Sequence, residues 1–383
     1  MRSWIKRLGI GALALLILAG AGAVWKREEI QRLMAVNSLF DGDKIVGNFS
    51  AMDAAFLSQP LDTAPGDPLP LGPQVPLPMG ADAWIEDRTI TALVVLRDGQ
   101  ITHESYHRGT GPDDLRISWS VAKSFLSLLA GILVEEGAVT LDDPVTTHAP
   151  ELVGSAYDGA TLQDVLQMES GVQFNEDYLD RTSDINRMGR VVALGRALDD
   201  FTADLDARLR DPGTAMQYVS MDTHVVGMVL RGATGRSIPD LLATKLLRPL
   251  GIGPAYYLVD GEGTAFVLGG LNLRTRDYAR MGQLVQQNGR WQGQQVVPAD
   301  WLAASTVPSA LTGQGRLQYG YQWWMPSDAR PGEVMAQGIY GQFVYIDRTR
   351  GVVIAVNAAD RNFRAPGVHT ANVAMFRRIA AAQ

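Results

Sequence analysis

Apolar residues recur along this chain at two periods, and the changes of period divide it into segments. The run TALVVLRDGQITHESYHRG is rich in β-branched residues on both sides of Asp98-Gly99, a pair that favours a tight hairpin. It predicts strands over residues 90–109. After Ser120 the pattern becomes VAKSFLSLLAGILVEEGAV, with apolar positions at helical spacing and Gly137 as a stop, so a mostly buried helix begins near Ser120.

Residues 140–250 contain helical stretches, TLQDVLQM, VVALGRAL and MDTHVVGMVLRGATG, separated by Gly- and Pro-containing turns. Strand patterns return from Tyr319 onward as YGYQWWM, GQFVYID and GVVIAVNA. The last two are joined by a short Arg-Thr-Arg-Gly turn, and a closing helix follows near residues 369–382. Strands at both ends enclosing helices predict an α+β fold: an antiparallel sheet flanked by helices, with a mainly helical region inserted. No fixed-period repeat is visible, which disfavours solenoids and propellers.

The 383 residues are 46% hydrophobic and 20% charged, enough for a large folded core. A formal charge of −7 leaves no basic stripe to neutralise a phosphate backbone, so no nucleic-acid partner is expected. The absence of cysteine excludes disulfides, thiolate metal sites and a Cys nucleophile.

At the start, Arg2, Lys6 and Arg7 precede an uncharged apolar run of 18 residues from Leu8 to Trp25, followed by Lys26 and Arg27. Such a segment directs export. The run is short for a membrane span and long for a signal-peptide core, and Ala21-Gly22-Ala23 offers a cleavage site. The basic cluster ahead of it favours an uncleaved transmembrane helix with the remainder outside; cleavage would give a secreted protein. Between Gln59 and Pro78 lie seven prolines, which read as an extended linker or a surface wrap. The expected layout is therefore residues 1–26 as membrane anchor or signal, 27–84 as the Pro-rich linker or wrap, and 85–383 as the main domain.

Two motifs carry candidate chemistry. His103-Glu104-Ser105-Tyr106-His107 matches H-E-x-x-H, a zinc signature that works only on a helix, where positions i and i+4 share a face. Here the segment follows a hairpin turn and alternates as a strand, which separates the histidines by about 13 Å and turns Glu104 to the opposite face. His148, His224 and His369 add no ligand spacing, so no metal is expected.

Ser120-Val121-Ala122-Lys123 fits S-x-x-K, in which one helical turn places a hydroxyl and an amine on the same face. Serine needs a base, and a lysine can serve when burial and a helix N-terminus push it toward its neutral form. The motif is weak alone: Ser3-Trp4-Ile5-Lys6 matches it too, inside the export segment.

The context makes the assignment specific. ISWSVAKSFLSLLAGILVEEG, LDDPV, TLQDVLQMESGVQF, YVSMDTHVVGMVLRGATG, GGLNLRTRDYARMGQL and WQGQQVVPADW resemble the β-lactamase-related serine hydrolases, the group of class C β-lactamases and penicillin-binding proteins. The likeness runs through roughly residues 85–380 in the family's order. It implies a β-lactamase/DD-peptidase-like fold and no cofactor, with Ser120 as nucleophile and Lys123 and Tyr218 in proton transfer. The family's second motif, Y-x-N or Y-x-S, maps to Tyr218-Val219-Ser220. Its third, a K-T-G-like triplet on an edging strand, maps to Ala336-Gln337-Gly338, and the backbone amides of Ser120 and Ile339 would then form the oxyanion hole.

The departure at Ala336 bears on substrate, because the Lys or His usual there helps to bind the free carboxylate of a penicillin or peptide terminus. Ser220, the EDYLD segment and GGLN most resemble the 6-aminohexanoate-dimer hydrolase-like branch, which implies linear amides and short esters as substrates. By that likeness Tyr178 is a loop residue contacting substrate and Asn272 lines the pocket, beside Ser220, Gly338 and Tyr340. A non-catalytic ligand sensor or cell-wall binding protein of the same fold is the alternative.

Overall fold

Both residues of the Asp98-Gly99 turn take left-handed φ, 49° and 83°, the geometry that lets a two-residue turn follow the twist of its strands. It joins Ile90–Arg97 to Gln100–Tyr106, so the second strand stops at Tyr106, short of the expected 109. The computed structural model describes residues 24–383, and this hairpin is one end of its main sheet.

That sheet has seven strands in the order Gln100–Tyr106, Ile90–Arg97, Val352–Ala358, Gln342–Asp347, Glu333–Gly338, Trp324–Met325, Gln318–Tyr319. Every neighbouring pair is antiparallel. The α+β architecture expected from sequence is therefore the one observed, with early and late segments combined in one sheet. YGYQWWM does not form one strand; it splits into two short ones around a turn in which Gln322 takes φ 63°.

Neighbouring residues of the central strands feed two cores. Val94, Leu96, Val344, Ile346, Val353 and Ala355 join the large core on one face. Leu93, Val95, Phe343, Tyr345, Ile354 and Val356 join the smaller one on the other. Because side chains alternate across a strand and both faces are covered, these strands read as continuous apolar runs. The smaller core is closed by the helices Ala81–Asp87 and Val368–Ala382, where Trp84 meets Phe376 edge-on at 5.8 Å.

The helix Val121–Glu135 lies in the large core, with every residue from Val121 to Leu133 buried. A Cβ on Gly131 would fall 2.3 Å from the Trp301 ring, so the glycine lets the indole pack directly on this helix. Between the sheet's early and late strands come the helices Leu162–Leu166, Asp184–Ala193, Leu198–Ala203 and Ser220–Thr234. Thr161 and Asp164 form a reciprocal capping box at the first of them. VVALGRAL is broken between Ala193 and Leu198 and so serves two helices.

A second sheet orders Ser58–Pro60, Tyr256–Leu258, Leu271–Leu273 and Arg116–Ile117. The proline-rich segment lies against the body, with Leu61 and Leu69 buried. Ile101 N–H donates to Pro70 O (2.8 Å), and the amides of Gly72 and Val75 donate to Ile101 O and Thr102 O, each at 2.9 Å. It thereby covers the otherwise open edge of strand Gln100–Tyr106.

Among the described residues the expected transmembrane helix finds no counterpart: no helix there is long and apolar enough to cross a membrane. The first described helix, Arg27–Asn37, carries Arg27, Glu28, Glu29 and Arg32, and Arg32 Nε donates to Ala193 O at 3.1 Å. Apart from Val24 and Trp25, the apolar run that prompted the expectation, and with it the export reading, lies outside the described residues.

Candidate active site

Trp119 is held in left-handed conformation, φ 42°, unusual for a bulky residue. The chain arrives from the small sheet, where Ser118 N–H donates to Leu271 O (2.8 Å), and turns at Trp119 so that Ser120 stands at the head of the buried helix. Lys123 follows on the first turn, on the same face. It is 1% exposed, and its amine has no hydrogen-bond partner among the described residues. Burial draws the amine down to about 7, against the opposing pull of the Glu176 and Asp222 carboxylates.

The Lys123 amine lies 5.4 Å from the centre of the Tyr218 ring. Tyr218 precedes the helix Ser220–Thr234, and its ring packs on Trp324 at 5.4 Å. Burial pushes its phenol well above the ordinary range; Glu176 adds to the rise, and the hydroxyls of Ser120 and Ser220 partly offset it. Tyr218 is thus a neutral hydroxyl beside the serine, suited to donating and passing a proton rather than acting as a phenolate.

The end of strand Glu333–Gly338 meets the serine from the other side. A Cβ on Gly338 would stand 3.0 Å from the Ser120 nitrogen and 2.8 Å from Ser118 O, so only a glycine permits this approach. Among the described residues neither the Ser120 nor the Ile339 amide donates to a backbone acceptor. The Ser120 amide at the helix start and the Ile339 amide just past the strand end are the kind of elements from which an oxyanion site is built.

Tyr340 follows in left-handed conformation, φ 59°. It stacks on Phe40 at 4.8 Å and contacts Phe363 at 4.9 Å and Phe49 at 5.5 Å. With Trp119, these rings form an aromatic wall next to Ser120. Phe40 and Phe49 come from the segment before the proline-rich stretch, and nothing local in the sequence marks them.

Tyr178 and Ser220 are brought together by Glu176, a residue the sequence reading did not select. Glu176 accepts from the Tyr178 hydroxyl (2.6 Å), the Ser220 amide (3.0 Å) and the Ser220 hydroxyl. It thereby satisfies the first amide of the helix Ser220–Thr234, two residues after Tyr218. The Arg364 guanidinium lies 5.7 Å over the Tyr178 ring. Asn272 is fully buried in the small sheet; its Nδ2 donates to Gly270 O (2.9 Å), and it shares no hydrogen bond with Ser120, Lys123 or Tyr218.

The H-E-x-x-H segment is a strand. His103 and His107 each share a hydrogen bond with Ser105 Oγ, at 3.1 and 3.0 Å. Glu104 is held by Arg276 at 2.6 and 2.8 Å and by the Tyr106 hydroxyl. The carboxylate therefore faces away from the imidazoles and is already neutralised.

A family model described as Beta-lactamase matches residues 82–374. The chain is 32% identical to the 6-aminohexanoate-dimer hydrolase of Paenarthrobacter ureafaciens over 290 residues, 72% of this chain and 74% of that protein. A solved Bacillus anthracis structure, provisionally called a 6-aminohexanoate-dimer hydrolase, superposes with TM-score 0.78 at 23% identity, covering 89% of this chain and 95% of that one. A family VIII carboxylesterase superposes with TM-score 0.61 at 14% identity, covering 79% and 95%.

Proposed function

The chain belongs to the Beta-lactamase family, a fold of hydrolases, and from that membership we propose that it is a serine hydrolase cleaving esters or linear amides through an acyl-enzyme on Ser120. The observation that carries this reading is the buried, unpartnered Lys123 amine, one helical turn from Ser120 and beside the Tyr218 ring.

Ser120 Oγ attacks the substrate carbonyl while its proton passes to the neutral Lys123 amine. The oxygen of the tetrahedral intermediate takes hydrogen bonds from the Ser120 and Ile339 amides. As the C–N or C–O bond breaks, the leaving group receives the proton by way of Tyr218. Water then attacks the acyl-enzyme, gives one proton back through the same groups to Ser120 Oγ, and releases the acid.

Substrate preference follows from what lines the site. Ala336 is fully buried and uncharged at the position where a cation would bind a free carboxylate, which disfavours penicillins and peptide termini. The aromatic wall of Phe40, Trp119 and Tyr340 favours apolar acyl or leaving groups.

The test is intact-protein mass after incubating residues 27–383 with a p-nitrophenyl ester series, a fluorophosphonate and a penicillin, with Ser120→Ala as control. A Ser120-dependent adduct and ester turnover with little response to penicillin are expected. A folded protein that forms no adduct with any reagent would replace this reading with a binding protein of the same fold.

A further inference from the structure

Asp222 lies in the first turn of the helix Ser220–Thr234 and is fully buried. One carboxylate oxygen, Oδ1, accepts from the Tyr157 hydroxyl (3.0 Å) and the Ser170 hydroxyl (2.7 Å). The other, Oδ2, has no hydrogen-bond partner among the described residues, and neither has the Lys123 amine. A buried carboxylate oxygen and a buried amine left open are each costly alone, and the cost falls when they act on one another.

Glu176 is the other carboxylate acting on Lys123, but both its oxygens are committed, Oε1 to the Tyr178 and Ser220 hydroxyls and Oε2 to the Ser220 amide. The groups around Lys123 are thus the Tyr218 ring, Glu176 and Asp222. Those around Asp222 are Tyr157, Ser170, Glu176 and Tyr319. His224, two residues further along the same helix, is engaged elsewhere, with Asp199 at 2.8 Å.

We propose that Asp222 is a positioning residue for Lys123: pinned by Tyr157 and Ser170, its open oxygen stabilises the ammonium formed when Ser120 surrenders its proton, and so sets the pH at which the amine can act as base. The proposal rests on the serine-hydrolase reading. Burial alone would drive the amine further down, making it a weak base; the Glu176 and Asp222 charges together hold it near neutrality, where a base is both free and strong enough, and of the two only Asp222 has an uncommitted oxygen. Burial also raises the Asp222 carboxyl to about 7, and the Ser170 and Tyr157 hydrogen bonds oppose that rise, so those two donors favour its ionised form.

The chain has five lysines, so a Lys-labelled sample gives a countable set of side-chain nitrogen and Cε resonances. The experiment is an NMR titration of Lys123 in wild type, Asp222→Asn and Ser170→Ala, with thermal unfolding as a check of fold and pH profiles of kcat/KM alongside. In Asp222→Asn the Lys123 midpoint should fall by about one pH unit or more, carrying the acidic limb of kcat/KM with it. Ser170→Ala should shift both the same way by less, and it decides the matter if Asp222→Asn does not fold. An unmoved Lys123 midpoint in the folded variants would overturn the proposal. Because the titration needs no turnover, linked Lys123 without a Ser120 adduct would remove the hydrolase reading alone, and an adduct with unlinked Lys123 would remove only this proposal.

Discussion

A Cβ on Gly338 would come within 3.0 Å of the Ser120 backbone nitrogen. The end of one sheet strand and the turn before the buried helix therefore meet backbone to backbone, and the serine's position depends on that contact. Gly338→Ala should keep the sheet, since Gly338 is the last residue of its strand, while displacing Ser120 from the Ile339 amide. The expected loss is on the order of a hundredfold in the rate of fluorophosphonate labelling, with a near-normal melting temperature. Labelling at the wild-type rate would show that the contact does not position the serine.

Burial lowers Lys123 from 10.5 to about 7, so kcat/KM should rise with pH through an inflection near 7 as the amine becomes neutral. The same shift has a stability consequence. Between pH 7 and 10.5 the Lys123 amine is protonated in the unfolded chain and neutral in the folded one, so this group's contribution to stability rises with pH across that window and is lowest below it. Lys123→Met should abolish activity, stabilise the protein near neutral pH by a few kcal/mol on an order-of-magnitude scale, and flatten this contribution to the slope. Denaturant titrations on either side of neutrality check it; a less stable variant would contradict the buried-amine account.

Tyr218→Phe keeps the ring that packs on Trp324 and deletes only the hydroxyl beside Ser120. Turnover should drop by about 10²- to 10⁴-fold without a change in melting temperature. Stopped-flow assays of acylation and deacylation would read the loss, and retained turnover would exclude Tyr218 as the proton carrier.

Phe40 stacks on Tyr340 at 4.8 Å with the planes 15° apart, across most of the chain's length. Phe40→Ala should remove about 1 kcal/mol of aromatic contact and raise KM for bulky aryl esters several-fold while sparing acetyl esters. Equal effects on both substrate sizes would mean that the wall supports the fold without touching substrate.

Glu104 is engaged by Arg276, and His103 and His107 by Ser105. Chelator treatment and His103→Ala should both leave ester turnover unchanged. Inactivation by chelator, reversed by zinc, would restore the metal reading that the H-E-x-x-H string first suggests.

What the sequence determined by itself is local. The hairpin at Asp98-Gly99 follows from backbone preferences of two residues, and the Ser120–Lys123 pair from helical spacing within four; such relations need no knowledge of the rest of the chain. The antiparallel sheet of early and late strands was legible because burial on both faces leaves long apolar runs. The family likeness added Tyr218 and the third motif, which spacing alone could not have joined to Ser120.

Tertiary structure decided everything that depends on residues distant in the chain. Glu176 holds Ser220 across 44 residues, and Tyr157 reaches Asp222 across 65. Neither carboxylate carries a local signature, because an acidic residue in a polar stretch looks the same whether it faces water or a buried helix start. The proline-rich segment could have been tether or wrap, and only the amide partners it finds along Gln100–Tyr106 lay it on the body. The charge state of Lys123 belongs to the same class: its residue type allows either form, and it is the dry interior, with two carboxylates reaching it from elsewhere in the fold, that brings it near neutrality.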